Sequence, residues 1–343
     1  VSGFRRRRRG ARPTIRKDAT EELSRLDKLL STMEARVRAA FSEFVRQMRS
    51  EEVLKEVADK LEARDIDGAL AIADSHVARL GSVIPVVFQD AAVAEAADFA
   101  AKVGPLRPTV GISFDATDPA AAALMRANTL NFVREFSAAQ REATRTALVD
   151  ALGSGQSRQA AARAFRESIG LTSNQRDAVE SYRALLEGGS RDALARALRD
   201  RRFDPSVEAA ADGRRELTPD QIDRMVDRYR ARYLAYRAET IARTESVRVI
   251  SQAREEAFRQ TIDRAGIAQE DTEQVWHAVE DNRTRITHRA LDGQVQPFGE
   301  PFVSISGAEL RYPGDPLAPI EETVNCRCHR TFRIKAEALA AAA

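Results

Sequence analysis

The chain has 343 residues, 43% of them hydrophobic but only 6% aromatic, so a core must be built largely from Ala, Leu, Val and Ile. Lys+Arg number 54 against 52 Asp+Glu, a balance that argues against a general nucleic-acid-binding surface and leaves any DNA contact to local charge. Two cysteines two residues apart make no disulfide framework, because so close a bridge is strained, and the chain reads as one that folds in a reducing cytoplasm.

No run reads as the roughly 20 apolar residues that cross a membrane. The opening Val1-Ser2-Gly3-Phe4-Arg5 has neither the apolar heart of a signal peptide nor an initiator Met, which points to a processed or truncated start. Arg5, Arg6, Arg7, Arg8 and Arg9 are consecutive, with Arg12, Arg16 and Lys17 close behind. Charges of one sign this dense repel, so residues 1–20 are expected to form a disordered basic arm. Such an arm neutralises phosphates on double-stranded DNA, docks on an acidic protein surface, or serves only as a solvated tail.

From Glu21 to about Arg64 the pattern is helical. Leu23, Leu26, Leu30, Met33, Val37, Phe41, Phe44 and Met48 recur at three- and four-residue steps, as the buried face of a bundle does. Further helices are expected over Ala69–Leu80 and about Val86–Val103, ended by Gly104-Pro105. Val110 to Asp115 alternate briefly and form a strand candidate. Asp118 and Pro119 then open an Ala-rich helix to about Leu152. After Gly153-Ser154-Gly155 comes a helix with Ala160, Ala161, Ala164 and Phe165, ending near Ile169. Thr172 caps the next, whose apolar face includes Val179, Tyr182, Leu185 and Leu186.

Arg201 to Leu217 is polar, carries Pro205 and Gly213, and reads as a loop or linker. Thr218, Pro219 and Gln221 supply an N-cap, a first-turn proline and a capping box for a helix to about Arg264, long enough to suggest one bend. Within it Arg237, Ile241 and Glu245 share a stripe, with Arg248 one turn beyond Glu245. This reads as a structural ion-pair network rather than a catalytic acid. Arg243 points elsewhere and is expected to reach the C-terminal part.

After Gly266 short strands are expected at Gln274–Val279, Val295–Phe298, Phe302–Ile305 and Thr331–Ile334, with a short helix over Arg283–Ala290 carrying His288. The fold class is therefore mainly α: an elongated helical N-terminal and middle region with a small α+β C-terminal domain. The expected divisions are the arm 1–20, helical regions 21–110 and 111–265, the small domain 266–334 and a tail 335–343.

The only Trp, both cysteines and three of the four histidines (His277, His288, His329) fall at or between Trp276 and His329. Three chemistries compete for this cluster. Cys326 and Cys328, on one face of an extended strand, could bind zinc with His288, completed by His329, His277 or Asp315, although Cys-x-Cys is not the usual knuckle spacing. His288 with Glu245, Arg283 or Asp281 could form an acid–base pair acting on a phosphodiester, but no nucleophile or phosphate-cradling loop accompanies it. Alternatively Asp281, Arg283, Thr284, His288, Asp315 and Asn325 tie turns together around a Trp276 anchor. The structural reading uses the most residues. It calls for no cofactor, with zinc on His288, Cys326 and Cys328 as the competing expectation.

The motifs come in a fixed order: Trp276; Asp281 with Arg283-Thr284-Arg285; His288; Leu291-Asp292-Gly293; Pro313-Gly314-Asp315-Pro316; Asn325-Cys326-Arg327-Cys328. Together with Ile241-Ala242-Arg243-Thr244-Glu245 they resemble the phage Mu protein F-like, or SPP1 gene 7-like, family of minor head proteins. The resemblance reaches back to about residue 150; the first 110 residues match no pattern. It implies a low-copy virion component in the capsid interior at the portal vertex, assembled in the host cytoplasm. The implied partners are the portal protein, major capsid or scaffolding protein, and double-stranded DNA. Neither a membrane, a small-molecule substrate nor catalytic turnover is implied. The alternative from the residues alone is a nuclease-like or toxin-like C-terminal enzyme on a helical arm.

Overall fold

The computed structural model describes residues 15–103, 111–154 and 157–341. Arg5–Arg9, Gly104-Pro105 and Val110 lie outside them. Helix α1 (Ile15–Met48) buries the stripe its spacing demands, from Leu26 and Leu30 through Val37 and Phe41 to Met48. The helical pattern expected to run on to Arg64 breaks after Met48. There the Ser50 side chain accepts from Val53 N and caps α2 (Glu51–Glu62). Helices α3 (Ile66–Gly81) and α4 (Val83–Val103) follow.

The stretch Ile66–Lys102 corrects the expectation that no run is apolar enough to cross a membrane: an 18-residue window in it has mean hydropathy 1.4. Alanine raises that figure, and burial gives the reason for it. Val87, Phe88, Ala91 and Ala92 are fully buried, and Glu95 is buried in an ion pair with Arg254. These are features of a helix in the centre of a bundle.

Residues 111–115 do not form the expected strand. Their backbone groups are taken by side chains instead: Asp115 N donates to Gln260 Oε1 (2.9 Å), Gln260 Nε2 donates to Asp115 O (3.1 Å), and Arg264 donates to Ser113 O. Asp118 then accepts from the amides of Ala120 and Ala121 to start α5 (Pro119–Gly153). Helices α6 (Arg158–Ser168) and α7 (Ser173–Glu187) follow, the latter with a capping box between Thr172 and Gln175.

Residues 201–217, expected as a loop or linker, contain a 3-10 turn at Arg201–Phe203 and helix α8 (Asp204–Ala211). Pro205 sits in the first turn of α8, where its missing N–H loses no helical bond. The next helix, α9 (Pro219–Ala265), runs 47 residues without a break, from the Thr218/Gln221 capping box to Gly266 at φ +62°. Such a length is stable because α9 is covered by α1, α4, α5 and α7 along its course.

A small antiparallel part follows: β1 (Thr272–His277), α10 (Ile286–Arg289), β2 (Val295–Pro297), β3 (Phe302–Val303), β4 (Glu309–Leu310), α11 (Ile320–Thr323), β5 (His329–Ile334) and α12 (Ala336–Ala341). The main sheet has the order β2-β1-β5, with Val275 opposite Val295 and Trp276 opposite Arg330; β3 pairs with β4. The chain is thus mainly helical with a small β part. One apolar cluster runs from Met33 and Phe41 through Val249 and Ala253 to Trp276, Leu291, Phe302 and Cys326. A separate aromatic cluster joins Phe99 of α4, Phe258 of α9 and Phe298 to Phe332 of β5, with the Phe258 and Phe332 rings stacked at 4.5 Å.

Candidate functional site

The signature residues divide into three groups by what they touch. The first fastens the β part to α9. Pro313 O accepts from the Ser251 hydroxyl at 2.9 Å. Gly314 has φ +80°, and a Cβ built there would lie 3.1 Å from Arg248 N and 3.2 Å from Val247 Cγ1. Only glycine fits this combination of left-handed backbone and close approach. Asp315 accepts from Arg311 N (3.0 Å), Arg311 Nε (2.9 Å) and Leu317 N (3.0 Å). Burial pushes its carboxyl up, but these donors outweigh it and hold it below its ordinary value. Asn325, at φ 57°, donates its N–H to Thr244 Oγ1 on α9 at 3.1 Å.

Two arginines outside the expected set complete this seam. Arg330 on β5 is buried and donates to Gln274 Oε1 (2.8 Å), Arg311 O (3.0 Å), Ser251 O (3.1 Å) and Glu255 (2.7 Å). Arg254 on α9 donates to Arg330 O and pairs with Glu95 of α4. Sequence offered little warning of either, since both stand among many arginines in a charged chain.

The second group is a turn built on Asp281. Its carboxylate accepts from Arg283 N (2.9 Å), Thr284 N (3.1 Å) and both Nη atoms of Arg327 (2.6 and 2.5 Å). The Arg327 guanidinium holds it well below the usual carboxylate range. Thr284 Oγ1 donates to Val279 O, whereas the Arg283 side chain is largely exposed. Gly293, at φ +74°, donates its N–H to Trp276 O at 2.9 Å and returns the chain toward β2.

The third group surrounds His288. Helix α10 places it against the Trp276 ring, edge to face at 5.3 Å, and Phe302 packs on Trp276 at the same distance. His288 Nδ1 lies 3.6 Å from Cys326 Sγ and 3.4 Å from Cys328 Sγ, with all three residues buried. On the other side of the ring, Nε2 is 3.1 Å from Glu322 Oε2. Glu322 also accepts from the hydroxyls of Thr287 and Ser306, each at 2.8 Å. Burial pushes the Glu322 carboxyl up, but these hydroxyls and His288 bring it below its ordinary value. The shared contact with Cys326, together with burial, pushes the Cys328 thiol up. Glu322 was missed in the sequence because nothing in Ile320-Glu321-Glu322-Thr323 ties it to a histidine 34 positions earlier.

The other ligands expected for a zinc site do not converge here. His277 hydrogen-bonds Thr331 Oγ1 (2.8 Å), His329 meets Asp27 of α1 (2.7 Å), and Asp315 is engaged with Arg311. The acid–base pairs expected of His288 also do not form: its partners are Cys326, Cys328 and Glu322, not Glu245, Arg283 or Asp281.

The helical stripe divides as well. Glu245 pairs with Arg248, and burial pushes its carboxyl up to about 7 despite that partner. Arg237 stacks over Phe136 at 5.0 Å with Nη1 unpartnered, and burial brings its guanidinium down to about 10. Arg243, expected to reach the C-terminal part, turns instead to Glu239 (2.8 Å) and to Glu34 of α1 (3.5 Å). Its neighbour Thr244 makes that contact, because one residue is about 100° of helix.

Among the described residues, the surface has several depressions away from His288. One of about 720 Å³ lies among α5, α6, α7 and α9, edged by Asp150, Arg163, Glu167, Arg176 and Arg230. A shallower one of about 470 Å³ is lined by Ala278, Glu280, Asp281, Asn282, Arg289 and Asp292. His288 opens into neither.

A long bundle helix carries a small β part, fastened to it by turn-forming glycine, proline and asparagine. Residues 178–331, which take in most of α7, all of α9 and the chain to β5, match the family model of Phage Mu protein F like protein. The chain is similar to that family over this stretch, a little under half of its length. It is also similar to the Minor head protein GP7 of Bacillus phage SPP1, 33% identical over 101 residues. That match covers 29% of this chain and 31% of the relative's length. No solved structure matches.

Proposed function

We propose that the chain is a minor head protein that acts during phage head assembly as a structural part, without catalytic turnover. The observation that carries this reading is the use made of the family signature. Pro313, Asp315 and Asp281 spend their polar groups on turns and on α9, Asn325 gives α9 its backbone N–H and Gly314 packs against it, so the signature holds a shape. The similarity to a minor head protein supports the same reading.

A shape held this firmly suits a contact with other head components. Several large apolar side chains on the β part are left in solvent, among them Ile286 (73% exposed), Ile305 (67%), Leu317 (80%) and Ile320 (67%). Contact with another head component would bury these side chains. The portal protein is the first partner proposed, with the major capsid or scaffolding protein second and the capsid interior at the portal vertex as the location. Double-stranded DNA is the partner proposed for Arg5–Arg9.

Co-expression with phage portal and major capsid proteins, followed by affinity capture and electron microscopy of the particles, tests this. The expected result is a stable complex with the portal and incorporation into procapsids. Ile305→Asp with Leu317→Asp should reduce incorporation without unfolding the chain. A chain that stays out of particles, yet cleaves DNA in a way that His288→Ala abolishes, would replace this reading with the enzymatic one.

A further inference from the structure

We infer that His288, Cys326 and Cys328 form a binding site for a thiophilic divalent cation, zinc in the first instance. The argument begins with the lone pairs. Nδ1 of a neutral imidazole has one, directed in the ring plane, and an S–H donor should lie along it. Here two sulfurs stand 3.4 and 3.6 Å from that single nitrogen, so two thiols compete for one acceptor. A cation on the lone-pair axis removes the competition by taking the nitrogen and both sulfurs together.

The distances suit that arrangement. Zn–S bonds of about 2.3 Å and Zn–N bonds of about 2.05 Å, set at a tetrahedral angle, put sulfur and nitrogen about 3.6 Å apart. All three ligand atoms lie within 4.8 Å of one another, and the three residues are buried, so the ligands are already gathered in one place. Cys326 and Cys328 would bind as thiolates, each releasing its proton on metal uptake.

Glu322 supplies the independent observation. Its carboxylate lies 3.1 Å from Nε2, the imidazole nitrogen facing away from the sulfurs. A carboxylate there favours the tautomer with hydrogen on Nε2, which leaves the Nδ1 lone pair free for a metal. The carboxylate is itself fixed by the hydroxyls of Thr287 and Ser306. The carboxylate stands where the outer partner of a zinc-bound histidine stands, at contact distance from Nε2 but without hydrogen-bond alignment to it. Among the described residues no fourth His, Cys, Asp or Glu joins the group, so the fourth corner falls to water. The bound ion would join α10 to the start of β5 in a region whose strands are two to six residues long. A metal cross-link stabilises such a small unit more than its own apolar area can. The inference does not depend on the head-assembly reading.

The test uses the full chain, expressed in zinc-supplemented medium and purified without chelator. Elemental analysis should find about one zinc per chain. Chelator should lower the melting temperature and added zinc should restore it. Cobalt(II) replacing zinc should show tetrahedral ligand-field bands and a thiolate-to-cobalt charge-transfer band, a readout that needs no variant to fold. Glu322→Gln, which keeps all three ligands, should weaken zinc binding in a chelator competition by about 10- to 100-fold. A chain that takes up neither zinc nor cobalt on titration overturns the inference. So does a folded Cys326→Ser, Cys328→Ser double variant that retains its full zinc content.

Discussion

Arg254 of α9 and Glu95 of α4 meet in a two-pronged ion pair, 2.6 Å at Nε and 3.0 Å at Nη2, with side-chain exposures of only 4% and 5%. The same guanidinium donates to Arg330 O of β5, so one side chain joins the middle of the bundle to the sheet. Truncating Glu95 leaves the buried Arg254 with only Glu22 at 3.8 Å to balance its charge, which costs up to about 3–5 kcal/mol. Glu95→Ala should lose stability on this scale in urea unfolding. A loss below about 1 kcal/mol, the range of an exposed pair, would show that water reaches Arg254.

Gly293 and Gly314 share a left-handed backbone but not their surroundings. A Cβ at Gly293 meets open space, while one at Gly314 meets the α9 backbone at 3.1 Å. Gly293→Ala should cost about 1–2 kcal/mol for conformation alone. Gly314→Ala should cost a further 1–3 kcal/mol, roughly, because α9 and the turn must separate. Equal losses for the two variants would mean that the turn gives way without moving α9.

Glu245 makes stability depend on pH in a direction opposite to most carboxylates. Burial raises its value from 4.5 in the unfolded chain to about 7 in the folded one. The folded state therefore holds the proton more tightly. Its contribution is complete below about pH 4.5 and declines as pH rises through about 7, by on the order of 3 kcal/mol. Glu245→Gln should flatten that part of the stability profile. A wild-type profile that rises between pH 4.5 and 7 by the amount seen in the variant would show that Arg248 keeps Glu245 ionised.

The arginines ahead of α1 should govern any binding to DNA. Neutralising about five phosphates gives a log–log salt slope near −4 to −5, with no preference for sequence. Removing residues 1–14 leaves α1 from Ile15 intact and should abolish most of that slope without lowering the melting temperature. Should the shortened chain bind DNA as tightly as the full one, the arm would be left to a protein partner such as an acidic rim of the portal.

Local rules decided a large part of this protein. The stripe from Leu26 to Met48, the N-cap at Thr172, the capping box at Thr218 and the Asp118-Pro119 start each depend on residues within one or two turns, so spacing alone predicts them. The clustering of Trp276, His288, Cys326 and Cys328 in one stretch was equally plain, and it marked the region that carries the family signature. Tertiary structure decided the rest, where a group's partner lies far along the chain. Residues 111–115 carry a strand pattern, but Gln260 and Arg264 capture their backbone. Arg243 turns to α1 and its neighbour Thr244 takes the C-terminal contact, a choice set by how α9 is rotated in the bundle. Glu322 reaches His288 because α10 and α11 are folded against each other, and no helical or strand period spans the distance between them.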